Sequence, residues 1–233
     1  SAMQPVGHAA HVSSAPAADV IESVSPDDLS VWIGQRCATT DRYLFGITGP
    51  PGSGKSTLAR RLGAELDAPV VAMDGFHLSN AELTDRGLLG IKGAPETFAA
   101  ASFVELVREL RQPNAIVECP TFDRAIDEPV ANQIRVTPDD VVVIVEGNYL
   151  LLDEAPWGEL ADLLNATAYM DLPDDVRIER LVARHVAFGR DRPEALEFVR
   201  RSDESNARRI EPGRKHAAVL VSSSEAPSPN LRR

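Results

Sequence analysis

Short apolar runs alternate along this chain with stretches in which apolar residues recur every three or four positions. The first pattern is typical of buried strands, and the second is typical of helices with one apolar face. We predict strands over residues 43–48, 69–73, 115–118, 141–145, 166–172 and 217–221. We predict helices from Ser25, which has the residue type of an N-cap before Pro26, and over residues 54–66, 97–110, 174–188 and 193–209.

The order of these elements predicts an α/β fold. The run Val-Val-Val-Ile-Val at 141–145 has no polar alternation, which is typical of a parallel strand covered on both faces. Strands that alternate with helices form a mostly parallel sheet between two helical layers, giving three layers, α/β/α. The ends of the chain show little periodicity, so we predict flexible tails over 1–25 and 222–233 around one domain, 26–221.

The charge and composition of the chain indicate which kinds of ligand and surroundings suit it. The 233 residues carry a net charge of −11, which argues against a nucleic-acid polymer. Residues 177–215 nevertheless hold eleven Lys or Arg and seven Asp or Glu, a balance of +4 that suits a small anion such as ATP. The apolar runs are too short to span a bilayer, so we expect no membrane association. Two cysteines without metal-ligand spacing suit the reducing cytoplasm.

A glycine-rich sequence after the first of these strands gives the strongest chemical signal. It matches the pattern G-x-x-x-x-G-K-[ST] in full and lies between a predicted strand and a predicted helix. The backbone N–H groups of such a loop surround the β-phosphate, its lysine reaches the β- and γ-phosphates, and its hydroxyl binds Mg²⁺. We predict nucleotide contacts from Gly49, Pro50, Pro51, Gly52, Ser53, Gly54, Lys55, Ser56 and Thr57.

Two carboxylates stand where predicted strands end. Asp74 follows the strand 69–73, at the edge where α/β proteins bind ligands, and is a candidate to accept a proton from an attacking hydroxyl. Asp-Gly is also a common turn sequence, and spacing favours neither interpretation. Glu146 follows the strand 141–145, where a carboxylate orients magnesium or its waters. The alternative for Glu146 is a solvated strand end.

The predicted helix 174–188 carries three arginines on one face, Arg177, Arg180 and Arg184, at offsets of three and four. They form either a solvated helix face or a lid that brings guanidinium groups over the transferring phosphate. Arg190, beside a predicted turn, is a further candidate for the lid. His185 is isolated in the sequence, which favours a structural role.

Six stretches resemble, in order, the phosphoribulokinase/uridine kinase family of P-loop kinases. The resemblance is nearest to its nucleoside/nucleotide kinase group, which includes pantothenate kinase-like and fructose transport system kinase-like proteins, and it covers residues 43–221. The stretches are Gly-Ile-Thr-Gly through Thr at 46–57, Met-Asp-Gly-Phe-His-Leu at 73–78, Lys-Gly-Ala-Pro-Glu-Thr-Phe at 92–98, Pro-Thr-Phe-Asp-Arg at 120–124, Val-Glu-Gly-Asn-Tyr-Leu-Leu-Leu at 145–152 and Ser-Asp-Glu-Ser-Asn at 202–206.

The resemblance implies a P-loop NTPase fold with a helical lid over about 177–192. It implies that Asp74 is the catalytic base and that Glu146 joins Ser56 at the magnesium site. It assigns the phosphates to Lys55 and to the lid arginines Arg180, Arg184 and Arg190, and the adenine side to Asn206. The acceptor pocket it implies contains Phe76, His77, Phe122, Asp123, Arg124 and Tyr149, although the isolated His77 also suits a structural role.

Two departures from uridine kinases argue against uridine as the acceptor. Arg184-His185 replaces the Arg-Asp pair of those enzymes, and Asp-Gly-Phe-His at 74–77 replaces their Asp-Ser-Phe or Asp-Ser-Tyr. Nucleosides, pantothenate-like alcohols and sugars all remain candidates for the small-molecule substrate.

We therefore predict a kinase that uses ATP and Mg²⁺ to phosphorylate a hydroxyl group. A P-loop ATPase or nucleotide switch acting through a protein partner is the main alternative, and a metabolite-sensing module without chemistry is another. The chain lacks the Asn-Lys-x-Asp sequence of guanine-specific switches and the Leu-Ser-Gly-Gly-Gln sequence of ABC-type ATPases. Because members of the resembled family often associate, a homodimer is a further expectation.

Overall fold

Residues 21–222, which the computed structural model describes, form eight strands and eight α-helices. The strands are β1 (Glu22–Val24), β2 (Tyr43–Thr48), β3 (Val70–Ala72), β4 (Val117–Asp123), β5 (Glu128–Val136), β6 (Val142–Glu146), β7 (Ala166–Met170) and β8 (Val219–Val221). The helices are α1 (Leu29–Cys37), α2 (Lys55–Leu66), α3 (Asn80–Asp85), α4 (Ala100–Leu110), α5 (Leu160–Leu163), α6 (Asp174–Ala187), α7 (Arg192–Phe198) and α8 (Glu204–Ile210). A π-helical segment, Val199–Asp203, joins α7 to α8.

Six of the strands form one sheet in the order β1-β8-β7-β2-β6-β3, and every neighbouring pair in it is parallel. The prediction of a mostly parallel α/β sheet is therefore confirmed. Parallel strands share one carboxyl edge, and the central strand β2 has β6 and then β3 on one side. The residues that follow these three strands therefore meet at that edge.

The strand β6 explains why the sheet is covered on both faces. Successive side chains of a strand point to opposite faces. Val143 and Val145 pack in a core with the α4 residue Phe103, whereas Ile144 packs in a second core with the α2 residue Leu62. All of these side chains are buried. The uninterrupted apolar run is thus the sequence of a strand between two helical layers, as predicted.

The hairpin of β4 and β5 lies outside the main sheet and differs from the prediction. The strand predicted over 115–118 runs instead to Asp123, and β5, which we did not predict, pairs antiparallel with it. In the sequence Glu-Pro-Val-Ala-Asn-Gln-Ile-Arg-Val of β5, polar residues interrupt the apolar ones and most positions are at least partly exposed, so the strand lacks the apolar run of a core strand. This hairpin projects over the carboxyl edge of β3 through contacts with the 3₁₀ helix Met73–Phe76.

Two boundaries also differ from the prediction. Residues 22–24, which we assigned to the N-terminal tail, form the edge strand β1 and pair with β8. The single helix predicted over 193–209 is divided into α7, the π-helical segment and α8. The remainder of the predicted tails, residues 1–20 and 223–233, lies outside the described residues. Within residues 21–222, each helix is too short or too polar to cross a membrane.

Candidate active site

The glycine-rich loop links β2 to α2 in a conformation that requires glycine. Gly52 and Gly54 have φ of 79° and 93°, which side chains rarely adopt. A Cβ atom on Gly52 would also lie 2.8 Å from the backbone oxygen of Arg177 in α6. The loop is therefore in contact with the base of the predicted lid helix.

Lys55 begins α2 and is buried beneath this loop. Its ammonium group donates a hydrogen bond to the carbonyl of Pro50 over 3.1 Å, and its side chain is almost inaccessible. Burial lowers the pKa of Lys55, while the charges of Glu146 and Asp74 oppose that shift. The hydroxyl of Ser53 is also buried and has no hydrogen-bond partner among the described residues. A phosphate oxygen in the loop would satisfy both groups, so the residues present fit a bound triphosphate.

Glu146 lies beside Ser56 because β6 and β2 are neighbours. Oε2 of Glu146 accepts a hydrogen bond from the Ser56 hydroxyl over 3.3 Å. Burial raises the pKa of Glu146, and the charge of Lys55 opposes that shift. Glu146 is therefore a buried carboxylate, and the solvated strand end that was its alternative is wrong. No group of three His, Cys, Asp or Glu side chains suited to a metal ion occurs within residues 21–222.

Asp74 occupies the 3₁₀ helix that follows β3. Its carboxylate is about one-third exposed and lies 3.5 Å from Nη2 of Arg124, at the end of β4. The charge of Asp74 also raises the pKa of both Lys55 and Glu146, so the three groups share one electrostatic site. A Cβ atom on the next residue, Gly75, would lie 2.6 Å from the carbonyl oxygen of Pro120. The Asp-Gly sequence therefore reflects close packing against the hairpin.

The imidazole ring of His77 packs against two aromatic rings. Its ring centroid is 4.0 Å from that of Phe98 and 4.8 Å from that of Phe122. Nδ1 lies 2.8 Å from the carbonyl oxygen of Asp74, so this nitrogen carries the proton and donates it. Burial lowers the pKa of His77, and the charge of Asp74 opposes that shift. The half-buried imidazole thus turns a neutral Nε2 acceptor away from Asp74.

Three residues assigned to ligands by the resemblance have other surroundings. Phe76 is buried with its ring against Phe103, at a centroid distance of 5.1 Å. Tyr149 is fully buried, and its hydroxyl donates to the carbonyl of Gly93 over 2.5 Å. Asn206 is also buried, and Nδ2 donates to the same carbonyl over 3.3 Å. Phe76 and Tyr149 therefore pack in the core of this structure, and Asn206 supports the loop of Gly93. Their assignment to the acceptor and to adenine stays a prediction.

Other predicted residues are accessible. Asp123 and Arg124 are exposed at the end of β4, and Phe122 is half-buried beside His77. One oxygen of the Asp123 carboxylate accepts from the backbone N–H of Ala125 over 2.8 Å, which caps the hairpin turn. Thr57 is exposed on the first turn of α2.

The arginines predicted for the lid differ in their contacts. Nη1 of Arg180 would lie 3.7 Å from a Cβ atom on Gly54, so this guanidinium is beside the phosphate-binding loop. Arg184 lies at the exposed mouth of the site, and its charge lowers the pKa of Lys55. Arg190 contacts His185 instead, with Nη1 2.7 Å from Nδ1. Arg180 is thus beside the loop, and Arg184 is near enough to Lys55 for their charges to repel.

Arg177 has a role that the sequence did not reveal. Its side chain is 1% exposed, and its guanidinium donates to the carbonyl of Pro51 over 3.2 Å. The same guanidinium pairs with Asp174 at 2.8 Å and with Glu204 at 2.7 Å. The face that it shares with Arg180 and Arg184 predicted that Arg177 is a lid arginine. Its side chain is instead buried and connects α6 to the phosphate-binding loop and to α8. The face alone could not distinguish these roles.

Comparison with known proteins identifies the family. Residues 44–227 match the phosphoribulokinase/uridine kinase family. A provisionally named uridine kinase of Schizosaccharomyces pombe is 36% identical over 185 residues, which cover 73% of this chain and 78% of that protein. The uncharacterized protein YggC of Escherichia coli (strain K12) is 36% identical over 191 residues, which cover 79% of each.

A solved structure is similar over most of the chain. The crystal structure of a provisionally named fructose transport system kinase from Silicibacter sp. TM1040 superimposes with a TM-score of 0.79 and 38% identity. It covers 85% of this chain and 99% of its own. The family match and the similar solved structure agree. The chain therefore belongs to the phosphoribulokinase/uridine kinase family and is a kinase with an alcohol group as phosphoryl acceptor.

Proposed function

We propose that this protein transfers the γ-phosphoryl group of MgATP to a hydroxyl group of a nucleoside, a pantothenate-like alcohol or a sugar. One observation carries the proposal above all others. Asp74 is an accessible carboxylate that shares one electrostatic site with Lys55 and Glu146 and lies 3.5 Å from Arg124 at the end of β4. A nucleotide switch would need the phosphate-binding loop but not a second, accessible carboxylate beside a pocket.

The proposed reaction uses Asp74 as the proton acceptor. The acceptor hydroxyl oxygen bonds to the γ-phosphorus while the bond between that phosphorus and the bridging oxygen of ADP breaks. The hydroxyl proton passes to the Asp74 carboxylate. In the resting site Arg124 lies 3.5 Å from this carboxylate, at the outer limit of a hydrogen bond, which leaves the oxygen available to an incoming hydroxyl.

Positive groups of the chain stabilise the charge on the phosphates. Lys55 is fixed by burial and by its bond to the Pro50 carbonyl, so its ammonium group needs little reorganisation. Arg180 beside Gly54 and Arg184 at the mouth of the site add guanidinium groups from α6. Movement of α6 toward the loop would bring these charges closer and exclude water.

Ser56 and Glu146 are the proposed magnesium residues. The hydroxyl and the carboxylate are oxygen donors of the kind that Mg²⁺ binds together with phosphates and waters. When bound, the ion neutralises charge on the β- and γ-phosphates and orients them for transfer. A two-residue protein site suits this use, because Mg²⁺ retains several non-protein ligands in kinases.

We propose that the acceptor binds in the region between His77 and Arg124, beside Asp74. It offers the neutral Nε2 of His77, the ring of Phe122 and the guanidinium of Arg124. Relatives named provisionally for uridine and for fructose transport support an acceptor that carries several hydroxyl groups. His77 and Arg124 are polar groups suited to such a molecule.

A screen of ADP release tests the proposal. Purified protein is incubated with MgATP and, in turn, with nucleosides, pantothenate and related alcohols, and sugars. We expect one class to raise ADP release well above the rate without an acceptor, and we expect Lys55→Ala to show no such increase. A rate that no alcohol changes, but that a protein partner raises, would refute the kinase proposal in favour of an ATPase or switch.

A further inference from the structure

A cluster of four side chains lies at the C-terminal end of α6. Nε2 of His185 lies 3.1 Å from Oδ2 of Asp203, and Nδ1 lies 2.7 Å from Nη1 of Arg190. The ring of Phe198 contacts two members, at 4.8 Å from the His185 centroid and 4.1 Å from Cζ of Arg190. His185 thus bridges a carboxylate of the π-helical segment to an arginine of the turn between α6 and α7.

The partners of the two ring nitrogens determine which nitrogen of His185 carries the proton. A guanidinium group has only donors, so Nδ1 must accept the hydrogen bond from Arg190 with its lone pair. The neutral ring then carries its proton on Nε2 and donates it to Asp203. The side chains of His185 and Asp203 are only 14% and 12% exposed, which shields their bond from water. The Asp203 carboxylate therefore increases the negative charge on Nδ1, the ring nitrogen that faces the Arg190 guanidinium.

The backbone that carries Arg190 is ordered by hydrogen bonds. Gly189 has φ of 99°, and its N–H donates to the carbonyl of Val186 over 3.0 Å. The N–H of Arg190 donates to the carbonyl of His185 over 3.2 Å. Together these bonds end α6 in a turn whose conformation depends on glycine. Asp191 then caps α7 by accepting from the N–H of Glu194 over 2.8 Å. Arg190 therefore extends from a fixed turn between two capped helix ends.

The π-helical segment brings Asp203 to His185. Val199, at its start, is fully buried in a small core with Leu181, Val182 and Ala195, which joins α7 to α6. A π turn contains one residue more than an α turn. Without that residue, the side chains that follow would be rotated by about 100° around the helix axis. Asp203 would then point away from α6.

We propose that His185 and Asp203 are positioning residues that orient Arg190 for phosphoryl transfer. The inference rests on the proposed kinase function. One N–H of the guanidinium is held by His185 and its face by Phe198, and its other N–H groups have no hydrogen-bond partner among the described residues. In this proposal those N–H groups bind the transferring phosphate when the lid closes. Orienting the side chain in advance reduces the reorganisation needed when the lid closes over the nucleotide.

A double-mutant cycle on kcat tests this role. We expect His185→Ala to lower kcat about tenfold, because small misplacements of a charge-stabilising group are costly. In an Arg190→Met background the same substitution should change kcat by less than about twofold, since its effect acts through Arg190. His185→Asn, whose Oδ1 replaces Nδ1 as acceptor, should recover much of the loss, whereas His185→Leu should not. Equal losses in both backgrounds would overturn the proposal.

The matched control is Arg192→Met. Arg192 belongs to the same helical hairpin and pairs with Glu179 over 2.8 Å, but it makes no contact with the His185 cluster among the described residues. His185→Ala should therefore lower kcat as much in the Arg192→Met background as in the wild type. Coupling of equal size to Arg190 and Arg192 would indicate a general effect on the hairpin and overturn the specific role.

The tautomer of His185 provides a measurement without turnover. Imidazole ¹⁵N shifts at pH 7.5 should place the His185 proton on Nε2, and Arg190→Met should perturb the Nδ1 resonance. A proton on Nδ1, or on both nitrogens, would refute the positioning role even in an active kinase. Absence of turnover in every protein would instead refute the kinase function, and with it any catalytic role of the cluster.

Discussion

The hydroxyl of Ser56, on the first turn of α2, lies 3.3 Å from the carboxylate of Glu146, at the end of β6. This contact joins the helix that follows the phosphate-binding loop to a buried acidic group at the same edge of the sheet. It places two oxygen ligands beside the loop without any larger cluster of acidic residues within 21–222. This pair is the position at which we propose that a magnesium ion binds to the chain.

Removal of either ligand should weaken the use of magnesium. We expect Glu146→Gln and Ser56→Ala each to raise the Mg²⁺ concentration for half-maximal activity by about tenfold, in the range found when groups around a bound metal are removed. Titration of activity with Mg²⁺ at saturating ATP measures this. Glu118→Gln, an exposed carboxylate on β4, is the matched control and should leave the titration unchanged. Unchanged Mg²⁺ dependence in both site variants would contradict the assignment.

Gly75 should be intolerant of a side chain. A Cβ atom there would lie 2.6 Å from the backbone oxygen of Pro120, and neither backbone can yield easily. We expect Gly75→Ala to lower the free energy of unfolding by about 1–3 kcal/mol, the range for overpacked sites. Urea denaturation measures this change. Gly34→Ala in α1, where nothing lies within 4 Å of the added atom, should instead stabilise the protein slightly.

Stability should depend on pH through His77. Its folded-state pKa is lowered by burial, so in the folded protein the ring stays neutral at pH values where the unfolded chain binds a proton. The free energy of unfolding should therefore fall as pH decreases below the ordinary imidazole value of about 6.5. Urea denaturation from pH 7.5 to pH 5.0 should show a smaller decrease for His77→Gln than for the wild type. Parallel curves for the two proteins would contradict this role.

Arg177 should affect both stability and nucleotide affinity. Arg177→Met leaves Glu204 without its cation and the Pro51 carbonyl without its donor. We expect a loss of about 3–5 kcal/mol in the free energy of unfolding, as when one partner of a buried ion pair is removed. Binding of a non-hydrolysable ATP analogue should weaken as well.

The double variant Arg177→Met/Glu204→Gln separates the effect of an unpaired Glu204 carboxylate from the effect of losing the donor to the loop. It removes the unpaired carboxylate, so it should be more stable than Arg177→Met alone. Its affinity for the ATP analogue should nevertheless remain low, because the donor to the loop is still absent. Recovery of both properties together would show that Arg177 supports the fold without supporting the loop.

The parts of the site that depend on local sequence were predictable. The loop of Gly52, Gly54 and Lys55 is set by residue types within one turn of chain, and the structure has the predicted strand and helix on either side. Glu146 was predictable as well, because an uninterrupted apolar run specifies a buried parallel strand and thereby the edge where it ends. Both can be recognised from residues that are neighbours in the sequence, although β6 forms its hydrogen bonds with the distant strands β2 and β3.

The direction of individual side chains was not predictable in the same way. A motif position does not determine whether Tyr149 faces a pocket or the core, and here its ring packs against Trp157 at 5.4 Å. Nor could the spacing of arginines distinguish the buried Arg177 from the exposed Arg180. Strand β5 is defined by its pairing with β4, and the alternation of polar and apolar residues in its sequence is too weak to indicate a strand. These features arise from tertiary contacts.

The most direct test of Asp74 as the proton acceptor is to measure phosphoryl transfer by the Asp74→Asn variant. The substitution keeps the shape of the side chain but removes its ability to take a proton. The ATP analogue should bind as in the wild type, whereas the single-turnover rate of transfer to the identified acceptor should fall by about 10²- to 10⁴-fold. Asp41→Asn, just before β2 at the opposite edge of the sheet, should transfer at the wild-type rate. Equal transfer rates in wild type and Asp74→Asn would contradict the account.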